Sequence, residues 1–282
     1  MGRKIGFLMV ALSMVGCAAE VAPDATVAGS NATLDSVLRD DEDVTVLEPG
    51  AGEPKALLEV ALPFEVLGKP GAGVTACQDV QFDLPEHDGE PCPNHGPIGL
   101  SATPVGEQRC QSDSGGMLAL EIAENSLTGL RIYPPGGFAR MLQVRTGDAP
   151  GTLRPLRLLD DASQVEAYRA LSLEMDPERT TVVVETPADG ASVELLVGKR
   201  DPGPAPLYLD ASGAPTQGEG SVAGGWAVFP NVPQGIHEVL MGHDALDCTA
   251  DPAASWPGAN PGNALLVTVA DALVHSNVFD CR

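Results

Sequence analysis

Basic residues are scarce in this 282-residue chain, which has 16 Lys and Arg against 39 Asp and Glu and a formal net charge of −23. Nucleic acid and anionic lipid headgroups would repel such a protein, so we expect no nucleic-acid partner. Aromatic residues make up only 4% of the chain, and Trp226, Trp256 and three tyrosines are all that could form a stacking platform for a glycan. After residue 17 no hydrophobic run approaches the length that spans a bilayer, which argues against transmembrane helices there.

The first 17 residues carry the pattern of a secretory signal. Arg3 and Lys4 precede an apolar run over residues 5–15, too short to span a bilayer, and Gly16-Cys17 follows as a cleavage-type junction. Met14-Val-Gly-Cys17 resembles the lipobox of bacterial lipoproteins, in which the cysteine is diacylated and becomes the new N-terminus. The resemblance implies lipidation at Cys17 and a place in the cell envelope, at the outer membrane of a Gram-negative bacterium. An ordinary signal cleaved a few residues later is the alternative.

Glycine and proline are abundant, at 32 and 25 residues, and they punctuate a weak internal repeat. The segment from Val182 to Val193 has the pattern of a strand, an Asp-Gly turn and a second strand, and the segment from Phe64 to Val74 has the same shape. Alternating apolar residues predict strands over residues 181–185, 192–197 and 236–241. The turns should use the positive backbone angles that glycine tolerates, at Gly71, Gly115, Gly190 and Gly224.

The second repeat resembles the carboxypeptidase-regulatory-like (transthyretin-like) domain family, through Gly224-Gly-Trp226 and Asn231-Val-Pro-Gln-Gly235. The resemblance covers residues 179–282 well and residues 56–158 less well, because the first repeat lacks the Asn-Val-Pro-x-Gly segment. It implies a small β-sandwich, mostly non-catalytic and used for adhesion, scaffolding or as an appendage to enzymes. The fold class that follows is all-β, with two tandem transthyretin-like or Ig-like Greek-key sandwiches joined by a short helix.

One segment, residues 161–175, has a helical pattern, with Ser163-x-x-Glu166 as a capping box and Asp176-Pro177 as a stop. Its apolar stripe consists of Ala162, Val165, Tyr168, Leu171 and Met175.

These patterns divide the chain into five parts. They are a lipoprotein signal peptide (1–16), a lipid-anchored, acidic and disordered stalk (17–55), a divergent first β-sandwich (56–158), a connecting helix and turn (159–178) and a second, carboxypeptidase-regulatory-like β-sandwich (179–282).

Two clusters in the sequence contain residue types that could carry out catalysis or bind a metal. Cys110-Gln-Ser-Asp113-Ser114-Gly-Gly116 looks like the nucleophile loop of chymotrypsin-type serine proteases, but no suitable His base and Asp precede it and the repeat explains the glycines as a turn. His87, Cys92 and His95, with nearby carboxylates, could bind zinc. Because the spacing matches no known ligand signature, we favour a solvated loop there and predict no catalytic residues, metal or other cofactor.

Five cysteines remain besides Cys17, as expected of an exported protein with disulfides. Cys248 and Cys281 are the natural pair in the second repeat. In the first repeat we favour Cys77–Cys92, which leaves Cys110 unpaired.

The sequence therefore predicts a non-enzymatic, membrane-anchored lipoprotein of the cell envelope that acts as a binding, adhesion or scaffolding module. Its partners would be the membrane, through the lipid, and an unidentified protein or glycan. Two alternatives stay open: a zinc-dependent hydrolase centred on His87, Cys92 and His95, and a periplasmic module that binds carbohydrate or peptidoglycan.

Overall fold

A computed structural model describes residues 56–81, 103–104, 109–218, 220–251, 259–268 and 273–282. The predicted signal peptide and stalk lie outside these residues. The described chain is mostly β-structure with one helix, as the sequence predicts.

The strands form two units, which we call the N-terminal unit (β1–β10) and the C-terminal unit (β11–β20). The N-terminal unit contains β1 (Leu57–Val66), β2 (Lys69–Pro70), β3 (Thr75–Gln81), β4 (Thr103–Pro104), β5 (Arg109–Gln111), β6 (Met117–Ala123), β7 (Leu127–Tyr133), β8 (Arg140–Arg145), β9 (Gly151–Thr152) and β10 (Leu156–Leu158). Helix α1 (Asp161–Ala170) follows. The C-terminal unit contains β11 (Thr180–Thr186), β12 (Ser192–Val197), β13 (Asp201–Pro202), β14 (Leu207–Leu209), β15 (Gly225–Val232), β16 (Gly235–Gly242), β17 (Cys248–Ala250), β18 (Ala264–Thr268), β19 (Leu273–Ser276) and β20 (Phe279–Cys281).

One sheet runs through both units. Eight of its nine strands follow the order β14-β15-β11-β19-β8-β7-β3-β4, and the ninth, β5, pairs with β3. A five-stranded sheet around β1 and β6 completes the N-terminal unit, and a four-stranded sheet in the order β13-β12-β16-β18 completes the C-terminal unit. The predicted pair of sandwiches is thus present, with a central sheet that the two share.

The two smaller sheets pack on opposite faces of the central sheet. Paired residues share a face, and β19 pairs with β8 so that Val274 lies beside Met141 and His275 beside Leu142. Met141 and Val274 belong to the core beneath the four-stranded sheet. Leu142 belongs to the core beneath the five-stranded sheet. The molecule therefore has three layers, offset along the central sheet.

Alternation in the sequence explains the outer strands. In β1 the side chains of Leu58, Val60, Leu62 and Phe64 are buried, and the intervening residues are exposed or half-buried. A strand that lies between two layers has no exposed face, and β11 accordingly buries Thr180 through Val184 without a break. The predicted strands over 181–185, 192–197 and 236–241 are confirmed as β11, β12 and β16.

The helix is shorter than predicted and buries a different stripe. It ends at Ala170 because Ser172, with φ of 54°, leaves the helical conformation. Its N-cap is Asp160, which accepts a hydrogen bond from the Ser163 N–H, so the predicted capping box is wrong. Tyr168 is the only member of the predicted stripe that is buried. The buried residues are Gln164, Ala167 and Tyr168.

The turn glycines were predicted in part. Gly190 and Gly224 have the expected positive φ, whereas in the first repeat it is Gly116, not Gly115, that has one. Gly71 is required for a different reason, because a Cβ there would lie 2.4 Å from the Cβ of Phe64. Close approach of two chain segments, rather than the turn itself, selects glycine at this position.

Candidate functional site at the junction of the two units

The junction between the units is built on a strand from the end of the chain. Strand β19 lies parallel to β11 on one side, where Val183 pairs with His275, and parallel to β8 on the other, where Leu142 pairs with His275. All four residues of β19 are buried. The N-terminal unit and the remainder of the C-terminal unit are therefore hydrogen-bonded to the same short strand.

Arg154 of the N-terminal unit holds the chain that follows β19. Its Nη1 donates to the carbonyl oxygens of Asn277 and Phe279, at 2.7 and 3.1 Å, and its Nη2 lies 2.5 Å from Oδ1 of Asp280. The side-chain amide of Asn277 donates in return to the carbonyl oxygen of Pro155, at 2.9 Å. The forked guanidinium satisfies three acceptors at once, which fixes this segment in direction as well as in place.

Arg157 in β10 makes a second contact across the junction. Its guanidinium carbon lies 4.8 Å from the ring centroid of Trp226, and Nη1 donates to the carbonyl oxygen of Gly224 and to Oε1 of Glu185. A cation–π contact of this kind contributes about 0.5–2 kcal/mol. Burial raises the pKa of the Glu185 carboxyl, while the charge of Arg157 acts in the opposite direction.

Arg140 and His275 lie together at the centre of the junction. Arg140 is 1% exposed, and its Nη2 donates to Leu159 O and Asp161 Oδ1, at 2.6 and 2.7 Å. Burial and the neighbouring charge of Arg140 lower the pKa of His275 to about 3. His275 is thus a neutral packing residue at physiological pH.

A side-chain amide completes the junction on the other face of the central sheet. Gln143 in β8 donates to the carbonyl oxygen of Val267 at 2.7 Å and accepts from its N–H at 3.3 Å. Leu127 of the N-terminal unit packs there with Leu265 and Val267 of β18. The outer edge of β18 is therefore covered by the N-terminal unit.

This arrangement is suited to holding two units in a fixed orientation. Arginine, glutamine and neutral histidine meet backbone carbonyls, carboxylates and an aromatic ring, and none of these contacts pairs a nucleophile with a base. Within the described ranges no group of three or more His, Cys, Asp and Glu side chains could hold a metal ion.

The protease-like segment is a turn. Oδ1 of Asp113 accepts hydrogen bonds from the N–H groups of Gly115 and Met117, both at 2.8 Å, and Ser114 is exposed. The buried hydroxyl of Ser112 accepts from the Val74 N–H at 2.9 Å and donates to Gly71 O. Asp113 and Ser112 thus bind backbone, as in a structural turn.

The cysteines are placed partly as predicted. Cys248 and Cys281 form a disulfide, which joins the paired strands β17 and β20. Cys77 is also disulfide-bonded. Its predicted partner Cys92 lies outside the described residues, as do the predicted lipidation site Cys17 and the candidate zinc ligands His87 and His95.

The stacking platform considered for a glycan is wrong for three of its members. Trp226, Tyr168 and Tyr208 are buried in the cores, so their rings present no face to a sugar. Trp256 lies outside the described residues.

Sequence reasoning missed the side chains that build the junction, namely Arg140, Gln143, Arg154 and Arg157. The one signal available in the sequence is the scarcity of basic residues, which makes each arginine of this acidic chain a candidate for a specific contact. His237 in β16 and His275 in β19 are both buried.

In the described part of the chain no helix is long and apolar enough to cross a membrane.

Comparisons with known proteins add little to this geometry. No family model matches the chain, and no curated protein matches it. Among solved structures it is similar to the Bacillus anthracis TIE protein, with 11% identity over 79% of this chain and 33% of that one and a TM-score of 0.20. It is also similar to a streptococcal ancillary pilin, with 12% identity over 79% of this chain and 68% of that one and a TM-score of 0.22. The minor pilin GBS52 of Streptococcus agalactiae has 7% identity over 78% of this chain and 94% of its own length, with a TM-score of 0.23. The chain spans about a third of the length of the first of these proteins. TM-scores this low carry no argument about fold or function, so the all-β sandwich architecture rests on the strand pairing described above.

Proposed function

We propose that this protein is a non-enzymatic lipoprotein of the cell envelope, anchored through Cys17 and acting as a binding, adhesion or scaffolding module. The observation that carries the proposal is the central sheet shared by the two units. A binding protein on a tether benefits from a rigid body that presents its surfaces at a fixed angle, because ordering the partner surfaces then costs little on binding.

The anchor is proposed from the sequence. Lipidation of Cys17 would place residues 18–55 between the membrane and the folded part, and their acidic composition favours an extended segment. Membership of the carboxypeptidase-regulatory-like family is proposed on the Asn231-Val-Pro-Gln-Gly235 segment. Attachment at the outer membrane follows by analogy with enteric lipoproteins, since Ala18 and Ala19 follow the cysteine.

Metabolic labelling with an alkyne fatty acid in a Gram-negative host tests the anchor. The full chain should incorporate the label and sediment with membranes. Cys17→Ser should lose the label and stay out of the washed membrane pellet, whereas the matched control Met14→Leu, which keeps the cysteine, should label as the native chain does. An unlabelled native chain would remove the anchor from this proposal.

A binding role is tested by deleting residues 20–50 while keeping Cys17. The shortened chain should fold as the full chain does, and it should lose crosslinks to envelope proteins that the full chain forms. Equal crosslinking by both chains would contradict the role proposed for the tether.

A further inference from the structure

The last ten residues, 273–282, form a strap that reaches across both units, and we call this segment the C-terminal strap. It begins with β19 between β8 and β11, continues past the Arg154 contacts at Asn277 and Phe279, and ends with Cys281 bonded to Cys248. The strap therefore has one end in the body of the chain and a second end closed by a covalent bond.

The loop that this bond closes makes it decisive for the junction, because β19 lies inside that loop. A strand whose far end is released can leave a sheet one hydrogen bond at a time. A strand inside a closed loop can leave only if the loop detaches in its middle with both ends still held. The disulfide closes such a loop, with a sequence separation of 33 residues.

The strap carries core side chains as well as hydrogen bonds. Val274 and Phe279 belong to the same buried cluster as Val182 and Met141. When the strap leaves, the main chain of β8 at Arg140–Leu142 and that of β11 at Thr181–Val184 lose their common partner. Two unpaired strand edges would then face a gap one strand wide.

We propose that the Cys248–Cys281 disulfide is a redox-gated latch on the junction. With the bond formed, the strap joins the two units into one body. With the bond reduced, the far end of the strap is no longer held to β17, and β19 can leave its place between β8 and β11. The inference does not depend on lipidation at Cys17, since it concerns only described residues.

The chemistry of the latch is thiol–disulfide exchange with a dithiol. The dithiol supplies two electrons and two protons, the Sγ–Sγ bond breaks, two thiols form on the protein, and the dithiol becomes a disulfide. Cys281 is half-buried whereas Cys248 is buried, so a dithiol should attack the latch at the sulfur of Cys281.

Hydrogen exchange followed by mass spectrometry tests the latch on the full chain. The double variant Cys248→Ser/Cys281→Ser removes the bond and leaves Cys77 bonded, and Thr249→Ala, an exposed change on β17, serves as the matched control. Amides of 273–276, 140–142 and 181–184 should exchange at least tenfold faster in the double variant. Amides of β1, β6, β12 and β16 should keep their native rates in both variants.

Two outcomes would overturn the proposal. One is unchanged exchange over 273–276 in the double variant. The other is faster exchange everywhere at once, which would make the disulfide a contributor to global stability with no separate role at the junction. If the double variant does not fold, the native chain is treated with dithiothreitol after folding, and molecules reduced at Cys248 and Cys281 but still bonded at Cys77 are compared by the same criteria.

Discussion

The side-chain amide of Gln143 makes both main-chain hydrogen bonds of Val267, although the two residues are 124 positions apart in the chain. The amide donates to one backbone group and accepts from the other, as a neighbouring strand would do. Val267 is 3% exposed, so these backbone groups have no access to water. One side chain thus takes the place of a strand at the edge of β18.

Replacing Gln143 should separate the edge of β18 from the N-terminal unit. Gln143→Ala leaves a buried N–H and a buried carbonyl without partners, and we expect a loss of about 3 kcal/mol in the free energy of unfolding. Urea denaturation measures the loss. Gln217→Ala is the matched control, because Gln217 is exposed, and it should change stability by about 0.5 kcal/mol or less. Equal effects of the two changes would contradict the role assigned to Gln143.

Asn231 fastens the helical connection to the C-terminal unit. It has φ of 50°, its Nδ2 donates to Glu174 O at 2.9 Å, and its Oδ1 accepts from the Asp176 N–H at 3.0 Å and from the Tyr168 hydroxyl at 3.2 Å. The Asn-Val-Pro-Gln-Gly segment singled out in the sequence therefore has a local structural task. Its asparagine both turns the chain and binds the residues after α1.

Two substitutions separate those tasks. Asn231→Gly keeps the backbone conformation and removes the side-chain bonds, with an expected loss of about 2 kcal/mol. Asn231→Ala also carries the cost of a positive φ and should lose about 1 kcal/mol more. Thermal or urea unfolding ranks the variants. A glycine variant as stable as the native protein, or less stable than the alanine variant, would refute this division.

The sequence predicted well what depends on near neighbours. Its apolar pattern identified β11, β12 and β16. In β12 one buried face leaves a period of two, whereas β11 is buried from Thr180 to Val184 without a break. The helix was placed correctly at its start and wrongly at its end, since Leu171 and Met175 continue the apolar period. What ends the helix is the positive φ of Ser172 and the bonds that Asn231 makes from far along the chain.

Glu238 should be as sensitive as Gln143, for an electrostatic reason. The carboxylate is fully buried, and it accepts hydrogen bonds from Asn260 N at 2.7 Å, Asn263 Nδ2 at 2.8 Å and Asn260 Nδ2 at 2.9 Å. Glu238→Gln would turn an N–H₂ group toward a donor, and we expect a loss of about 3 kcal/mol in urea. Glu194→Gln, an exposed change on β12, is the control and should be nearly neutral. A stable Glu238→Gln protein would show that the loop does not need the charge.

His275 should make the protein less stable in acid. Its pKa of about 3 lies below the unfolded value of about 6.5. Between these values the unfolded chain binds a proton that the folded protein refuses, so the stabilising contribution is complete above pH 6.5 and is lost as the pH falls. From pH 7 to pH 5 the loss from this residue is about 2 kcal/mol.

The variant His275→Leu tests this contribution. The free energy of unfolding of each protein is measured in urea at pH 7 and at pH 5. Lowering the pH from 7 to 5 should reduce this free energy by about 2 kcal/mol more in the native protein than in the variant. His237, whose pKa burial also lowers, is present in both proteins and cancels. Parallel pH curves would show that His275 is not the titrating group.

The junction was beyond the reach of sequence patterns. Arg154 meets Asp280 from 126 positions away, and Arg157 meets Trp226 across two units. Nothing local to an arginine reports such a partner. Strand β19 has only four residues, and its apolar pattern predicts a strand without indicating that it lies between the two sandwiches.

The central claim is that the shared sheet makes the two units one body, and scanning calorimetry of the oxidised full chain tests it most directly. We predict a single unfolding transition whose calorimetric enthalpy equals its van't Hoff enthalpy, because neither unit can melt without releasing β19 from the other. Two separate transitions, or a calorimetric enthalpy well above the van't Hoff value, would contradict the claim and describe two units that merely touch.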